Sequence, residues 1–457
     1  MQHPIFRWER NFTKQLFQLA VPIALQSVVT AAMQIVDNVM VGKLGEVPLA
    51  AVSQANRISF LFQLAMFGTI SGASIFVSQY WGKRDVAGVR RTLGIATAMG
   101  LVVAALLGLP SIFFPGQLIR VLIKSQEARR LGAEYLGIMG FVYFIQSQSL
   151  VQAAVLKSTE QVKLPMFASI AAILTNICFN WLLIYDHGSF GGYGVRGAAI
   201  ATMIGAAVEL GVLIVFARRF GFVTAAKLGE LRPGSRKAVR DFLVIALPVL
   251  LNESLWAAGT VTYSAIYGRL GDGVTAAAAA NIFSTIEQLA SVAIRALSHA
   301  CGVMIGMAIG AGDENCARLY AKRFLWATPL ISQGIGLAIL ALSGSMVGFF
   351  NVTAETAAAA RGLIRIFACF IWAHALNCVV IVAILRTGGD VRAAAAIDVI
   401  PLWLVGVPMA ALAGLVFHWD VQRVYLMTYC EQIAKGALCL WRMRSGKWVH
   451  NLVANNQ

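Results

Sequence analysis

Long apolar runs separated by short polar connections recur along the whole chain of 457 residues. A run of about 20 apolar residues is long enough to cross the hydrocarbon core of a bilayer as an α-helix. The two-residue alternation that a membrane β-barrel requires does not occur in the sequence. The pattern therefore predicts an all-α, polytopic membrane protein with twelve transmembrane helices, at roughly 15–41, 48–80, 92–114, 133–156, 164–186, 193–217, 241–268, 274–310, 319–349, 359–385, 393–417 and 421–441.

The chain also divides into two similar halves. Ala20-Val21-Pro22 matches Ala246-Leu247-Pro248, and Gly42-Lys43-Leu44-Gly45 matches Gly268-Arg269-Leu270-Gly271, with both pairs 226 positions apart. Six spans in each half give both halves the same topology, so we expect two parallel six-helix lobes around a central cavity, which is the plan of a transporter. The predicted limits are an N-lobe at 1–217, a cytoplasmic linker at 218–240, a C-lobe at 241–441 and a cytoplasmic tail at 442–457.

Composition and charge support a membrane protein and determine its predicted orientation. Charged residues make up 13% of the chain, about half of what soluble domains carry. The net charge of +16 resides mainly in the connections, where one set of loops and termini holds 25 lysines and arginines and the opposite set holds 10. By the positive-inside rule, both termini lie in the cytoplasm, and we expect the cell inner membrane as the location and no nucleic-acid partner. The basic cluster between Arg120 and Arg130 departs from this rule.

Several classes of activity lack their sequence signals. The seven cysteines form no C-x-x-C pair, and the six histidines form no H-x-x-H pattern, so we expect neither a disulfide framework nor a structural metal site. The phosphate-binding pattern of an ATP-driven pump is not present either. A lipid-modifying enzyme would need a convergent catalytic group, and the sequence offers none. We therefore predict a protein that is not an enzyme.

One carboxylate is notable because of the apolar span that carries it. No charged residue occurs from Leu16 to Val36, and Asp37 follows directly. A charge inside the membrane costs at least about 2.5–3.5 kcal/mol and usually marks a functional site. The alternative is that Asp37 lies at the water interface where the helix ends.

Four stretches together resemble the multidrug and toxic compound extrusion (MATE) family, over most of the chain. The stretches are Val36 to Gly45, Ser78-Gln79-Tyr80-Trp81-Gly82, Gly194 to Thr202, and Leu385-Arg386-Thr387-Gly388-Gly389-Asp390. The resemblance implies a cation-coupled antiporter that exports amphipathic, often cationic, organic compounds in exchange for sodium or protons. It implies no cofactor besides the coupling ion, and we expect a monomer in the lipid bilayer. The alternative function is a lipid-linked oligosaccharide flippase of a related fold.

The resemblance also implies a coupling site in the N-lobe. Its residues are Asp37, Asn176, Asn180 and Thr202. Asn176 and Asn180 are four residues apart and so share one helix face. Some relatives carry a second carboxylate where Asn180 stands, and the alternative for the asparagine pair is ordinary hydrogen bonding between helices. Pro22 is the implied hinge of the first helix, although a proline repeated at the start of both lobes is an equally good interpretation.

In the C-lobe the resemblance implies a second coupling site at Glu253. Relatives pair this glutamate with an aspartate on the tenth span, which is missing here, and His374 lies nearest its position. A Glu–His pair can relay a proton because histidine titrates near neutrality. The alternative for His374 is simple packing in an apolar helix.

Other polar residues in the spans are assigned smaller roles. Glu209 is a second candidate near the N-lobe site, and Glu287 is expected to form an ion pair with Arg295. Arg57 is a candidate partner for Asp37 or for another acid. No role is assigned to Asp398 or Glu431. Aromatic, methionine and amide side chains are candidates for lining the substrate cavity, with ordinary packing as the alternative: Gln34, Met66, Gln146, Trp256, Tyr263 and Phe283.

Overall fold

The structure is a computed structural model that describes residues 10–123, 125–187, 191–232, 234–270, 274–348, 350 and 352–454. Parts of the predicted lobes, linker and tail (1–9, 124, 188–190, 233, 271–273, 349, 351 and 455–457) lie outside these described residues. The helices are α1 (Arg10–Gly42), α2 (Glu46–Gly82), α3 (Val86–Phe113), α4 (Pro115–Leu122), α5 (Gln126–Ser158), α6 (Lys163–Ile184), α7 (Gly194–Phe220), α8 (Arg236–Tyr267), α9 (Val274–Gly310), α10 (Glu314–Gly348), α11 (Ala354–Cys378), α12 (Val391–Pro401), α13 (Val407–Ala411) and α14 (Val421–Arg444).

This architecture confirms the predicted all-α, polytopic class. Over the described ranges, eleven helical stretches are long and apolar enough to cross a membrane. The twelfth predicted span forms α14, whose hydropathy is lowered by Glu431, Gln432 and Lys435. Among the described residues β-structure is limited to isolated bridges, such as the one between Asp186 and Gly191. The short helix α4 was not predicted, and it lies in the connection that carries the basic cluster.

Some of the charge in that basic cluster is balanced locally. Glu134 on α5 lies 3.2 Å from Arg196 and 4.0 Å from Arg130. Exposed ion pairs of this kind contribute little to stability. They do place the acidic Glu134 beside Arg130, one of the arginines that depart from the expected charge distribution.

Local sequence explains where the helices begin and end. Asp85 precedes α3, and its carboxylate accepts the Gly88 N–H at 2.8 Å. Thr353 caps α11 in the same way by accepting the Thr356 N–H. These side chains satisfy backbone donors that have no partner within the helix. Gly221 ends α7 with a φ of 66°, a left-handed conformation that favours glycine.

Packing divides the chain into two units. We call residues Leu25–Leu250 the N unit, and Met1–Ala24 together with Leu251–Gln457 the C unit. The two dividing points fall inside α1 and α8, a few residues after Pro22 and Pro248 respectively. Thus each of these two helices contributes residues to both units, and the predicted lobe limits stay a prediction.

The N unit is built around close helix contacts that small residues permit. A Cβ at Gly108 would lie 2.8 Å from the Gly140 carbonyl oxygen, so α3 and α5 approach closely there. A Cβ at Gly94 would collide with the Leu231 carbonyl, which belongs to the connection between α7 and α8. Small residues are the usual means of close packing between membrane helices. The predicted linker therefore packs against α3 over its described part.

The C unit has a less regular interior. Its core includes Phe283, Phe367 and Tyr425, where the Phe283 ring contacts the other two edge to face. In the described part of the C unit, three π-helical stretches interrupt the tenth and eleventh predicted spans, at Val379–Leu385, Leu402–Gly406 and Leu412–Val416. Such stretches are rare in proteins and occur frequently at functional sites.

The C-terminal segment after α14 is packed against the C unit. The Trp448 side chain is 1% exposed, and the His450 N–H donates to the Gly388 carbonyl at 2.7 Å. The Asn451 amide donates to the Ile309 carbonyl at 3.0 Å. This segment therefore holds the turn at Gly388, within the stretch that resembles the MATE family in the second half of the chain.

We expect the substitution Trp448→Ala to destabilise the C unit. Removing a buried tryptophan leaves a cavity and costs about 3–5 kcal/mol. The matched control is Trp441→Ala, since the Trp441 side chain is 64% exposed. In thermal unfolding of the purified protein, the melting temperature should fall clearly for Trp448→Ala and hardly at all for Trp441→Ala. Equal melting temperatures would mean that the segment contributes nothing to the fold.

Candidate functional site

The N-unit site is centred on Asp37, which lies near the C-terminal end of α1 and is half-buried. The Asn180 amide nitrogen donates to Asp37 Oδ1 at 2.7 Å. Asn176 lies one turn earlier on α6, and both asparagines are buried. The Asn180 amide nitrogen also lies 2.9 Å from one atom of the Asn176 amide, which is its oxygen or, with the amide turned, its nitrogen. The spacing of four residues thus places both amides on the face of α6 that meets the carboxylate.

These three side chains form a closed triangle. The Asn176 amide atom that contacts Asn180 also lies 2.9 Å from Asp37 Oδ1. Each amide can present either its oxygen or its nitrogen to the triangle. With an ionised Asp37, every choice of amide orientation leaves at least one contact that pairs two acceptors or two donors. An atom that both donates and accepts removes this conflict, and the hydroxyl of a protonated carboxyl is such an atom.

Thr202 and Tyr185 extend this site. The Asn176 amide nitrogen lies 3.4 Å from the Thr202 hydroxyl, which itself donates to the Ala198 carbonyl at 2.9 Å. The Tyr185 hydroxyl donates to the Met40 carbonyl at 3.0 Å, which ties the end of α6 to the last turn of α1. The structure therefore brings together the four residues predicted for the N-lobe site. Tyr185 was not predicted, because its contact is made with a backbone carbonyl.

Glu209, the second candidate in the N-lobe, belongs to a different group. Its Oε1 accepts the Ser169 hydroxyl at 2.6 Å, and Ser169 in turn accepts the Gln26 amide at 2.7 Å. Arg57 is exposed, and it forms no ion pair with Asp37 among the described residues. The predicted pairing of Arg57 with Asp37 is therefore wrong, and Asp37 is contacted by neutral amides.

In the C unit, Glu253 is partnered by an arginine. The Arg386 Nη2 atom lies 2.8 Å from Glu253 Oε1, and the Arg386 side chain is 1% exposed. Within the described part of the chain, no hydrogen bond or ion pair joins Glu253 to His374. His374 lies within electrostatic range of Lys435 and Asp398 instead. Arg386 belongs to a stretch that the sequence places in a connection, so its burial could not be predicted.

A larger ionic network continues from Glu253. The Asn252 amide lies 3.5 Å from Glu253 and 3.0 Å from Asp398 Oδ2. Lys435 Nζ lies 2.6 Å from Asp398 Oδ1 and 2.7 Å from Glu431 Oε1. The sequence suggested no role for the two acids, and Lys435 was counted only among the 25 basic residues of the cytoplasmic side. The spacing of four residues between Glu431 and Lys435 on one helix was the available signal.

The remaining sequence predictions have mixed outcomes. The expected Glu287–Arg295 ion pair is wrong, because the described ion pairs do not include it. Tyr263 donates to Glu431 Oε2 at 2.6 Å. The other candidates for lining a cavity differ in exposure, and their role stays a prediction: Met66 and Phe283 are buried within their units, Gln146 is half-buried, and Gln34 and Trp256 are exposed.

Comparison with known families identifies the protein class. A family model described as MatE matches residues 22–182 and again residues 248–412, well over half of the chain. The two matches begin 226 residues apart, which agrees with the offset between the repeated halves. The chain has the fold class of a polytopic membrane transporter. It belongs to the MATE family of transporters.

Individual relatives agree with this assignment over nearly their full length. The chain is 26% identical to a probable multidrug resistance protein NorM of Synechocystis over 453 residues, covering 94% of each chain. It is 22% identical to the uncharacterized transporter YisQ of Bacillus subtilis, covering 97% of this chain and 96% of YisQ.

Solved structures share the fold. A mutant of the MATE transporter VcmN from Vibrio cholerae has a TM-score of 0.85 at 18% identity, covering 95% of this chain and 96% of that one. A MOP superfamily transporter from Pyrococcus furiosus has a TM-score of 0.84 at 18% identity with the same coverage. Its description reports a binding pocket of reverse polarity and suggests a different function for that protein.

Proposed function

We propose that this protein is an antiporter that exports amphipathic, often cationic, organic compounds in exchange for a coupling cation, by alternating access. The observation that carries the proposal is the triangle of Asp37, Asn176 and Asn180. The substrate class is supported by relatives named as multidrug resistance proteins. None of the relatives quoted above favours the flippase alternative.

The triangle favours a proton over sodium as the coupling ion. A protonated Asp37 accepts the Asn180 N–H and donates its own O–H to the Asn176 amide oxygen. The 2.9 Å separation between the two oxygens suits an O–H···O hydrogen bond without movement of any heavy atom. Loss of the proton leaves two acceptors in contact, and since turning an amide only moves this conflict to another contact, α1 must move relative to α6. Proton occupancy at Asp37 thereby selects between two arrangements of these helices.

Pro22 is the proposed hinge of α1. A proline within a helix removes one backbone hydrogen bond and permits bending. Pro22 lies fifteen residues before Asp37 on the same continuous helix. A ligand shifts a conformational equilibrium only through its different affinity for the two states. We therefore propose that the two hydrogen-bonding arrangements at Asp37 provide this difference and that α1 bends at Pro22 in response.

The proposed setting is the cell inner membrane, with both termini in the cytoplasm. It is supported by the unequal distribution of basic residues among the connections. We propose that the monomer is the transporting unit, since the described ranges of one chain contain the complete Asp37 site.

Export of a fluorescent cationic dye from proteoliposomes tests this function. Proton and sodium gradients are imposed separately, and we expect the proton gradient alone to drive export. A protonophore should abolish export, whereas replacing sodium by choline should leave its rate unchanged. Export driven only by sodium would refute the proton assignment. If neither gradient moves any dye, the antiporter proposal fails, and flipping of a lipid-linked oligosaccharide becomes the next assay.

A further inference from the structure

We propose that Glu431 and Tyr263 in the C unit form a second proton-exchange site, in which Lys435 takes the place of a bound metal cation. Its role in transport rests on the proposed function, but proton binding at this site does not. The sequence pointed to Glu253 as the C-lobe coupling residue. The geometry points to Glu431, one of the acids to which no role was assigned.

The charges of the ionic network around Glu431 do not balance. The network that runs from Arg386 through Glu253, Asp398 and Lys435 to Glu431 contains three carboxylates and two cations. With every group ionised, its net charge is −1. All five side chains are at most 17% exposed, and the Lys435 side chain is 4% exposed. An unbalanced buried charge is costly, so the network favours uptake of one positive charge, such as a proton.

The hydrogen-bond partners determine which carboxylate takes up the proton. Glu253 Oε1 accepts from the Arg386 guanidinium, which can only donate a hydrogen bond, so a proton on that oxygen would break the contact. Asp398 accepts on both oxygens, from Lys435 Nζ on Oδ1 and from the Asn252 amide on Oδ2. Neither of these nitrogen donors can accept a hydrogen bond as they stand. A proton on Asp398 would therefore break the contact with Lys435 or require the Asn252 amide to turn.

The hydrogen-bond partner of Glu431 Oε2 can act either as donor or as acceptor. The Tyr263 hydroxyl lies 2.6 Å from Glu431 Oε2 and donates to the ionised carboxylate. The same hydroxyl can accept from a protonated Glu431, because a phenol oxygen is both donor and acceptor. Lys435 meanwhile retains its contact with Asp398 at 2.6 Å. Glu431 can thus gain and lose a proton while it keeps its contacts with Tyr263 and Lys435.

Lys435 occupies the position that a coupling cation would need. Its ammonium lies between Asp398 Oδ1 and Glu431 Oε1, at 2.6 and 2.7 Å. The two carboxylates of the site are therefore already bridged by a positive charge that is part of the chain. Sodium would have to displace this ammonium, so we expect the site to respond to protons and not to sodium.

The backbone at Gly406 leaves room for the contact between Tyr263 and Glu431. A Cβ at Gly406 would collide with the Tyr263 hydroxyl and lie 2.6 Å from Glu431 Oε2. Gly406 ends the π-helical stretch Leu402–Gly406, which packs against α14. The irregular backbone and the missing side chain together permit the short contact between Tyr263 and Glu431.

Several other titratable groups surround Glu431 and shape its response to pH. Tyr267 of α8 lies within electrostatic range of Glu431 itself. His374 of α11 lies within range of Lys435, Asp398 and Arg295 of α9. Glu287 of α9 lies near three tyrosines, Tyr267, Tyr425 and Tyr429. The tyrosines are neutral in their ordinary state inside a protein, so Lys435 is the charged group in direct contact with Glu431.

Infrared difference spectroscopy between acidic and alkaline pH tests the site directly. The full-length protein is reconstituted in lipid nanodiscs and carries Asp37→Asn, so that the Asp37 carboxyl gives no signal. We expect a carbonyl band from a titrating carboxylic acid. Glu431→Gln should remove this band, whereas the exposed control Glu355→Gln, outside the network, should retain it. Tyr263→Phe should shift its frequency because the acid loses its hydrogen bond. Replacing sodium by choline should leave the band unchanged.

The outcomes separate this inference from the proposed function. A band that persists unchanged in both Glu431→Gln and Tyr263→Phe overturns the site. If Glu431→Gln does not fold, Tyr263→Phe decides alone, because a shifted band supports the site and an unshifted band refutes it. If Glu431→Gln loses the band but the wild type exports no dye, the proton site stands and the antiporter is rejected. If the proton gradient drives export but the band is unchanged in both variants, the antiporter stands and the proton site at Glu431 is rejected.

Discussion

Replacing Asp37 by asparagine is expected to reduce gradient-driven dye export to the level of protein-free liposomes. Asparagine has nearly the same shape as aspartate but cannot release or bind a proton. It therefore cannot alternate between the two hydrogen-bonding arrangements that Asp37 has with Asn176 and Asn180. The loss should be at least about tenfold in rate, equivalent to about 1.4 kcal/mol of coupling free energy.

Two further measurements make this prediction specific to coupling. Asp37 is half-buried and contacts neutral amides, so we expect Asp37→Asn to retain its melting temperature within a few degrees. Dye binding measured by fluorescence anisotropy should also survive, because the variant lacks coupling and not its fold. The control is Glu46→Gln, which neutralises an exposed carboxylate of the same unit and should export at the wild-type rate. Proton-driven export by Asp37→Asn at the wild-type rate would contradict the mechanism.

The spans could be predicted because their signals are local. The N-unit site could be predicted only in part from such signals. Apolar runs of sufficient length form membrane helices in any arrangement, since the backbone must satisfy its hydrogen bonds within each helix. Asn176 and Asn180 share a helix face through their spacing alone. Their contact with Asp37 depends on how α1 packs against α6. Only the resemblance to a family connected those positions.

The C-unit network depends on contacts that sequence spacing does not reveal. Asp398 and Lys435 are 37 residues apart on different helices. Arg386 lies in a stretch that reads as a connection between spans, yet the fold buries it beside Glu253. The predicted Glu253–His374 pair was based on which residue stood closest to a missing aspartate in the sequence. The π-helical stretches in this region change which side chains face inward, so simple helical periodicity fails there.

Replacing Lys435 by methionine is expected to cause the largest loss of stability of any single substitution in the network. Methionine preserves most of the length of the side chain and removes its charge. Asp398 and Glu431 would then remain buried without the ammonium that lies within 2.7 Å of both. Removing one partner from a buried ion pair typically costs about 3–5 kcal/mol, because the remaining charge is left uncompensated.

The matched control for this prediction is Lys322→Met, which removes a charge from an exposed position of the same unit. Surface substitutions of this kind usually change stability by no more than about 0.5 kcal/mol. Combining Lys435→Met with Glu431→Gln should recover part of the loss, because the double variant buries one carboxylate fewer. Such a recovery would appear as a non-additive pair in thermal unfolding, as expected for residues in contact. If Lys435→Met unfolds at the same temperature as Lys322→Met, the ammonium does not compensate the two acids. The charge-balance argument for proton uptake at Glu431 would then fail as well.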